Sequence, residues 1–345
     1  MRAPTSSIAR NHSKDFPAFR RALLRWYDAN RRDLPWRTSH DPYRIWLSEI
    51  MLQQTRVAAV LEHYRVFLER FPNVEALAAA SEDKVLAAWS GLGYYRRARM
   101  LHQCANELVR KHGGQFPQTA GELLSLPGIG RYTAAAIASI AFAQPVAVVD
   151  GNVERVLQRL TGVSLDATQN WEQAQSLLAT SRPGDFNQAI MELGATVCIP
   201  RQPLCLVCPV RKWCATRGES PRAAQSPRQK KIEIWCALES RNGRGKEKVR
   251  LVQRPKTDSL MPGMWELPQS ADRQSFDPPG SNSATHWRTF RHSITVTDYT
   301  VHVLRQVVSP TVRRAKKGKW IPVDRIAHTP ITGLTRKILR AGGII

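Results

Sequence analysis

No uninterrupted apolar run in the 345 residues reaches the roughly 18 that a membrane-spanning helix requires, so no transmembrane segment is expected. Acid is scarce as well. Against 51 Lys and Arg stand only 28 Asp and Glu, a formal charge of +23, with a pI near 10.5. That balance favours a polyanionic partner such as nucleic acid, the alternatives being a basic soluble surface or an anionic membrane face. Residues 1–14 lack both an acid and the apolar core of a secretory signal. Their Ser, Thr and Arg content faintly echoes a transit peptide, and residues 1–15 are expected to be a disordered tail. Cysteine is sparse too: of six, four crowd into residues 198–214, while Cys104 and Cys236 sit in apolar patterns as packing residues. With nothing to mark the chain as secreted, this argues for metal in a reducing compartment rather than for a disulfide framework. There is no internal repeat. At this length two domains are the expectation, each with a core of its own.

What is present centres on Leu126 to Val153. Leu126-Pro127-Gly128-Ile129-Gly130-Arg131 leads into an apolar helix and then Val148-Val149-Asp150-Gly151-Asn152. The glycines permit positive φ and close backbone approach, and the unpaired N–H groups opening the next helix suit a phosphate. Upstream, Thr119-Ala120-Gly121-Glu122 forms a capping box, giving helix, hairpin, helix, a device for gripping a backbone without reading sequence. After Asp150 the apolar residues Val153, Val156, Leu157 and Leu160 keep helical spacing. Asp150 is therefore a natural N-cap, favoured in its ionised form by the helix dipole.

A second carboxyl has the opposite setting. Glu49, in Trp46-Leu47-Ser48-Glu49-Ile50-Met51-Leu52-Gln53-Gln54-Thr55, has Ile45, Trp46, Leu52 and Gln53 at the three- and four-residue helical spacings. On so apolar a face its pKa is expected to rise, as a general acid near neutral pH requires; the alternative is a structural glutamate paired with an arginine. One carboxyl tuned up and one tuned down is an arrangement that glycosidic chemistry uses.

Other stretches carry weaker signals. Phe19, Leu23, Trp26 and Tyr27 define an amphipathic helix over Phe16 to about Asn30, broken by Arg31-Arg32-Asp33-Leu34-Pro35-Trp36-Arg37. There Trp36 is either a base-stacking group between cations or a core-edge residue. Short helices follow from Val74 to about Leu101, interrupted by Trp89-Ser90-Gly91-Leu92-Gly93-Tyr94-Tyr95. An exposed-looking Leu92, two tyrosines and Arg96, Arg97 and Arg99 suit a loop that wedges into a duplex, or one that caps a core. Helices then run from Trp171 to Leu178 and from Phe186 to Val197, with Glu192 in the second. Cys198, Cys205, Cys208 and Cys214 follow at spacings of six, two and five residues. A single short C-x-x-C pair is less usual for structural zinc, and four thiolates in a compact loop also suit an iron-sulfur cluster, so both readings stand. Arg201, Arg211 and Lys212 lie within that loop.

Residues 217–231 lack apolar periodicity and read as a linker. Beyond it the texture changes to strands at Ile232 to Leu238, Val249 to Gln253 and around Tyr299 to Val303. The run Arg313-Arg314-Ala315-Lys316-Lys317-Gly318-Lys319 is a solvated turn or a phosphate contact.

Together, Trp46 to Thr55, Leu126 to Thr133, Val149 to Val153 and the cysteine spacing resemble the helix-hairpin-helix base-excision DNA glycosylases, over roughly Phe16 to Cys214. Within them the chain resembles the adenine DNA glycosylases of the MutY family more than endonuclease III. Endonuclease III and its lyase relatives carry a lysine after Gly-Val-Gly-Arg, where this chain has Tyr132. Leu34 to Arg37 and Glu49 to Thr55 resemble the MutY adenine-pocket motifs. Gly263-Met264-Trp265-Glu266-Leu267-Pro268 and Arg336-Lys337-Ile338-Leu339 resemble parts of its Nudix-like domain. No Arg-Glu-x-x-Glu-Glu run occurs between Pro268 and Phe290, which argues against magnesium-dependent pyrophosphate hydrolysis. The family's Phe-Ser-His triplet is also missing: Phe290 to Val296 offers Thr295 for its hydroxyl and Val296 where a histidine would stand.

The resemblance implies an all-α helix-hairpin-helix glycosylase domain over residues 16–216, then a Nudix-like α/β/α domain over 232–345 that recognises 8-oxoguanine. It implies a [4Fe-4S] cluster on Cys198, Cys205, Cys208 and Cys214, and backbone contacts from Gly128, Gly130 and Arg131. Glu49 would protonate adenine N7 and later activate water, and Asp150 would stabilise or bond to the sugar centre, with Tyr132 and Asn152 orienting Asp150. Arg32, Trp36, Arg37, Leu52 and Glu192 match the adenine pocket, Gln54, Leu92 and Tyr94 the intercalating positions, and Thr295 the lesion contact. The implied partner is duplex DNA carrying A:8-oxoG or A:G mispairs, met by a cytoplasmic monomer beside the chromosome. With Tyr132 in place of lysine the enzyme would be monofunctional. The alternatives are a glycosylase acting on oxidised pyrimidines, a non-catalytic DNA-binding iron-sulfur protein, and a nucleotide pyrophosphohydrolase.

Overall fold

The computed structural model describes residues 16–218, 230–243, 246–276, 285–294, 296–307 and 318–345. The expected tail, most of the linker, Thr295 and Arg313 to Lys317 lie outside the described residues. Along the chain the helices are α1 (Phe16–Asn30), α2 (Pro42–Leu52), α3 (Val57–Arg70), α4 (Val74–Ala79), α5 (Glu82–Trp89), α6 (Arg96–His112), α7 (Ala120–Leu123), α8 (Arg131–Ala141), α9 (Gly151–Thr161), α10 (Ala167–Leu177) and α11 (Pro183–Thr196). No helix among the described residues is long and apolar enough to cross a membrane. The chain divides into two compact units. One holds residues up to Tyr64, Asn73–Glu75 and the stretch from Gln103 to the end of the helical part; the other holds Arg65–Pro72, Ala76–His102 and the C-terminal strands.

In the first unit the helices begin and end where local chemistry says they should. Asp41 caps α2 by accepting from the Tyr43 amide at 2.9 Å, and Pro42 takes the first turn, where its missing N–H costs nothing. The Thr119–Glu122 capping box opens α7, and Gly128 turns the chain with φ +75° before Gly130 leads into α8. Phe19, Leu23 and Tyr27 of α1 pack with Val153, Val156 and Leu157 of α9 and with Phe186, Ile190 and Leu193 of α11. Gly194 permits this close approach: a Cβ there would lie 2.7 Å from the Asn152 Cβ.

The second unit contains a mixed sheet. Strand β1 (Lys230–Gly243) pairs antiparallel with β2 (Lys246–Gln253), which also holds β3 (Trp265–Glu266). The short β4 (Gln269–Ser270) pairs with β1, and β5 (Thr285–Ile294) pairs antiparallel with β6 (Thr297–Val307), which runs parallel to β1. Strand β7 (Lys319–Pro322) closes on β2, and α12 (Val323–Ile326) and α13 (Gly333–Ala341) follow. Alternation decides the faces. Cys236, Leu238, Val301 and Val303 bury against Leu334, Ile338 and Leu339 of α13, each such side chain contributing about 1.5–3 kcal/mol, while Ala237 and Leu304 meet Phe276 on the other face. The expected linker thus ends two residues early, because Lys230 and Lys231 already pair with Thr297 and Asp298.

Candidate active site

Helix α2 carries Glu49 into an apolar setting, as its sequence neighbours require. The residue is 7% exposed, and the Tyr132 hydroxyl, from the second position of α8, donates to its Oε2 at 2.6 Å. Burial pushes the Glu49 carboxyl up to about 7; the Tyr132 hydrogen bond and Arg37 pull it down, and the Asp150 charge raises it. Tyr132 was expected to orient Asp150 but is committed to Glu49, and its oxygen also lies 3.2 Å from Met191 Sδ. The reason is register: the hydroxyl reaches the acid buried beside it on α2, while Asp150 obtains its partners from α9.

Asp150 caps α9. Its Oδ1 accepts from the Asn152 and Val153 amides at 3.0 and 2.8 Å, and its Oδ2 from Asn152 Nδ2 at 3.0 Å. Three donors fix the orientation of the carboxyl at the helix N-terminus. Asn152 is fixed in turn by Arg155, which donates to Asn152 Oδ1 at 2.8 Å, Gly194 O at 2.7 Å and Cys198 O at 2.8 Å. A chain of hydrogen bonds therefore runs from Asp150 to the first cysteine of the loop.

Both carboxyls line one cavity of about 540 Å³, with Arg32, Trp36, Arg37, Leu52, Gln54, Tyr132, Asn152, Gln188, Met191 and Glu192 among its walls. On α11, Glu192 is 1% exposed and holds two cations: Arg32 Nε at 2.7 Å and Arg37 at 2.7 Å. Burial alone would raise its pKa, but the hydrogen bonds from Arg32 and Arg37 hold it near 2. Trp36 is buried edge-on against Tyr64 at 5.3 Å while still facing the cavity, so it serves core and site together. The arrangement combines a carboxyl raised by burial, a second carboxyl held by three donors and a fixed polar wall around one cavity.

Gln54 lines the cavity with φ +55°. In the second unit, Leu92 is buried at 5% exposure, not presented to solvent, because the turn folds it inward; Tyr94 is 46% exposed with φ +47°. Arg131 is exposed, and its guanidinium lies 4.0 Å from the Trp171 ring centre. Sequence reasoning missed Gln188, Met191 and Arg155. The signals were there: Gln188 precedes Glu192 by one helical turn, and Arg155 follows Asn152 by three residues.

The four clustered cysteines carry free thiols, and no group of three or more His, Cys, Asp or Glu forms a metal-ion site among the described residues. Cys198, Cys205 and Cys214 nevertheless lie within electrostatic reach of Cys208. Burial pushes the Cys208 thiol up to about 11, and the charges of Cys198, Cys214 and Cys205 add to the rise. Arg159, 3% exposed, donates to Cys198 Sγ at 3.3 Å, Ile199 O at 2.7 Å and Pro200 O at 2.8 Å, pinning the start of the loop. Thiols that crowd beside a buried guanidinium ionise together when a cationic group binds them, which fits a multinuclear thiolate centre.

Residues 47–179 match the model of the HhH-GPD superfamily of base excision DNA repair proteins. A rat protein named adenine DNA glycosylase is 41% identical over 313 residues, covering 74% of this chain and 60% of its own length. A Schizosaccharomyces pombe protein of the same name is 29% identical over 96% of this chain and 92% of its own. The solved structure of a thermostable thymine-DNA glycosylase superposes with TM-score 0.56 at 32% identity, over 59% of this chain and 97% of that one. The chain therefore spans about 60% of the length of the rat relative.

Proposed function

We propose, from the chain's place in the HhH-GPD superfamily of base excision DNA repair proteins and its likeness to adenine DNA glycosylases, that it removes adenine mispaired with 8-oxoguanine or guanine from duplex DNA. The observation that carries this reading is the pair of unlike carboxyls on one cavity: Glu49 titrating near 7 and Asp150 held by three donors.

In this reading adenine leaves the duplex stack and enters the cavity, a step costing a few kcal/mol that mispairing reduces. Protonated Glu49 gives its proton to N7, so the purine departs neutral. Asp150 stabilises the positive sugar centre or bonds to it, and Glu49, now ionised, takes a proton from the water that completes hydrolysis. Tyr132 keeps Glu49 aimed, Asn152 and Arg155 keep Asp150 aimed, and Glu192 holds Arg32 and Arg37 as a polar wall for the base edge. Gly128, Gly130 and Arg131 would grip the phosphate backbone, and Gln54 and Tyr94 would fill the gap in the stack. Residues 232–345 would act as a Nudix-like reader of the opposite base, with Thr295 supplying a hydroxyl. The protein would work as a monomer beside the chromosome.

Cys198, Cys205, Cys208 and Cys214 would hold a [4Fe-4S] cluster, which would supply a structural cross-link for the basic loop carrying Arg201, Arg211 and Lys212, the residues that would meet DNA. The test is a single-turnover assay on duplexes with adenine opposite 8-oxoguanine, guanine and cytosine, and with thymine opposite guanine. Release of adenine from the first two supports the reading. The likeness to a thymine-DNA glycosylase favours a pyrimidine substrate as the second reading, which release of thymine alone would establish.

A further inference from the structure

Helix α13 touches two functional segments from consecutive residues. Arg336 Nε donates to Ser90 Oγ at 3.0 Å, and Lys337 Nζ donates to Arg291 O at 2.9 Å. Ser90 begins the loop that ends in Tyr94, and Arg291 and His292 lie near the end of β5, whose last residue is Ile294. The first anchor is well buried. Ser90 is 1% exposed and donates to Ile331 O at 2.6 Å, and the Tyr95 hydroxyl donates to the same oxygen at 3.2 Å. Ile331 is in turn bridged to Trp265, and Thr332 caps α13 and donates its amide to Trp265 O at 2.9 Å.

The loop's own bonds set its shape but not its place. Trp89 Nε1 donates to Gly93 O at 3.1 Å, and Arg97 reaches Leu92 O at 3.3 Å and Gly93 O at 3.4 Å. These contacts close the turn on itself and leave Tyr94 exposed. What fixes it against the strands is the Ser90 and Tyr95 hydroxyls on Ile331, and Arg336 on Ser90.

We propose that α13 is a strut joining the end of β5, in the part of the chain that would read the base opposite adenine, to the loop that fills the stack, with Ser90 and Arg336 as positioning residues for Tyr94. Discrimination between 8-oxoguanine and guanine then depends on two side chains that touch neither base. This rests on the adenine glycosylase reading, because it takes its two functional segments from that reading.

The experiment uses the full chain as S90A, R336Q and R336K. Equilibrium binding is measured on duplexes carrying a non-cleavable adenine analogue opposite 8-oxoguanine or guanine, and adenine release at saturating enzyme on the natural A:8-oxoG duplex. The expected result is that S90A and R336Q each lose about tenfold of the binding preference for 8-oxoguanine, the scale of one charge-assisted hydrogen bond, with the saturated release rate within about twofold of wild type. R336K, which can still reach the hydroxyl, recovers part of the preference. An unchanged preference in both S90A and R336Q overturns the strut, and so does an equal loss of binding on both duplexes, which marks general destabilisation. Binding needs no catalysis, so a wild-type protein that binds selectively but releases no adenine refutes the glycosylase reading and leaves the strut standing.

Discussion

The Tyr132 hydroxyl donates to Glu49 Oε2 at 2.6 Å, so the second residue of α8 bears directly on the buried acid. Two opposing effects meet at that carboxyl. Burial raises its pKa, the phenol bond lowers it, and the outcome is about 7. Glu49 is thereby protonated in a good fraction of molecules at neutral pH and able to lose and regain its proton.

A pH profile follows. The single-turnover rate is expected to level off below pH 7 and to fall about tenfold per unit above it, as the acid form is titrated away. Tyr132→Phe removes the bond that favours the charged form, so the alkaline limb moves to higher pH. A limb left unmoved would show the bond to be idle. Glu49→Gln removes the proton donor and is expected to cost about 10²–10⁴-fold. Stability has the same sign: with its folded pKa above the unfolded value, Glu49 contributes most below the unfolded carboxyl pKa and loses that contribution as pH rises through about 7.

Glu192 behaves in the opposite way. Held near 2 by Arg32 and Arg37, it stabilises the fold above the ordinary glutamate pKa and loses that contribution as pH falls toward 2. Glu192→Gln leaves the nearly buried Arg37 without its counter-charge. A destabilisation of about 3 kcal/mol is expected, the low end for breaking a buried ion pair because Arg32 is 40% exposed. Denaturant melts at pH 7 and pH 3 check it, and the gap between wild type and variant should narrow at the lower pH.

The burial of Glu49 and the capping of α9 by Asp150 were legible in the sequence because each is set locally, the first by apolar neighbours at helical spacing and the second by a cap before an amphipathic helix. The α1 span and both buried lone cysteines, Cys104 and Cys236, were legible for the same reason. What could not be read was tertiary. Tyr132 falls beside Glu49 only because α8 packs on α2, and Leu92 looks exposed between two glycines until the turn tucks it inward. The grouping of residues 76–102 with the C-terminal strands rests on contacts such as Ser90 with Ile331, 241 residues apart.

Iron is expected with the purified protein. If the four cysteines hold the cluster, the protein is yellow-brown with about four iron atoms per chain, and a colourless protein carrying zinc contradicts it. Arg159→Gln removes three donors from the Cys198 end of the loop, so its iron content should fall below that of wild type while Glu192 variants keep theirs.

Strand cleavage is the last expectation, and it returns to Tyr132. A lyase needs an amine to attack the sugar carbon and form a Schiff base that borohydride can trap. The hairpin helix of this chain offers instead a phenol, buried, hydrogen-bonded to Glu49 and pushed well above its ordinary pKa by that burial and by the Glu49 and Asp150 charges. Such a hydroxyl stays protonated and serves as a donor, not a nucleophile. Treatment with borohydride during turnover is therefore expected to trap almost no protein on DNA, while free adenine accumulates and the strand stays intact until alkali is added. Trapping of a large share of the enzyme would mean that another amine reaches the sugar, and it would move the chain from hydrolysis by two carboxyls to lyase chemistry.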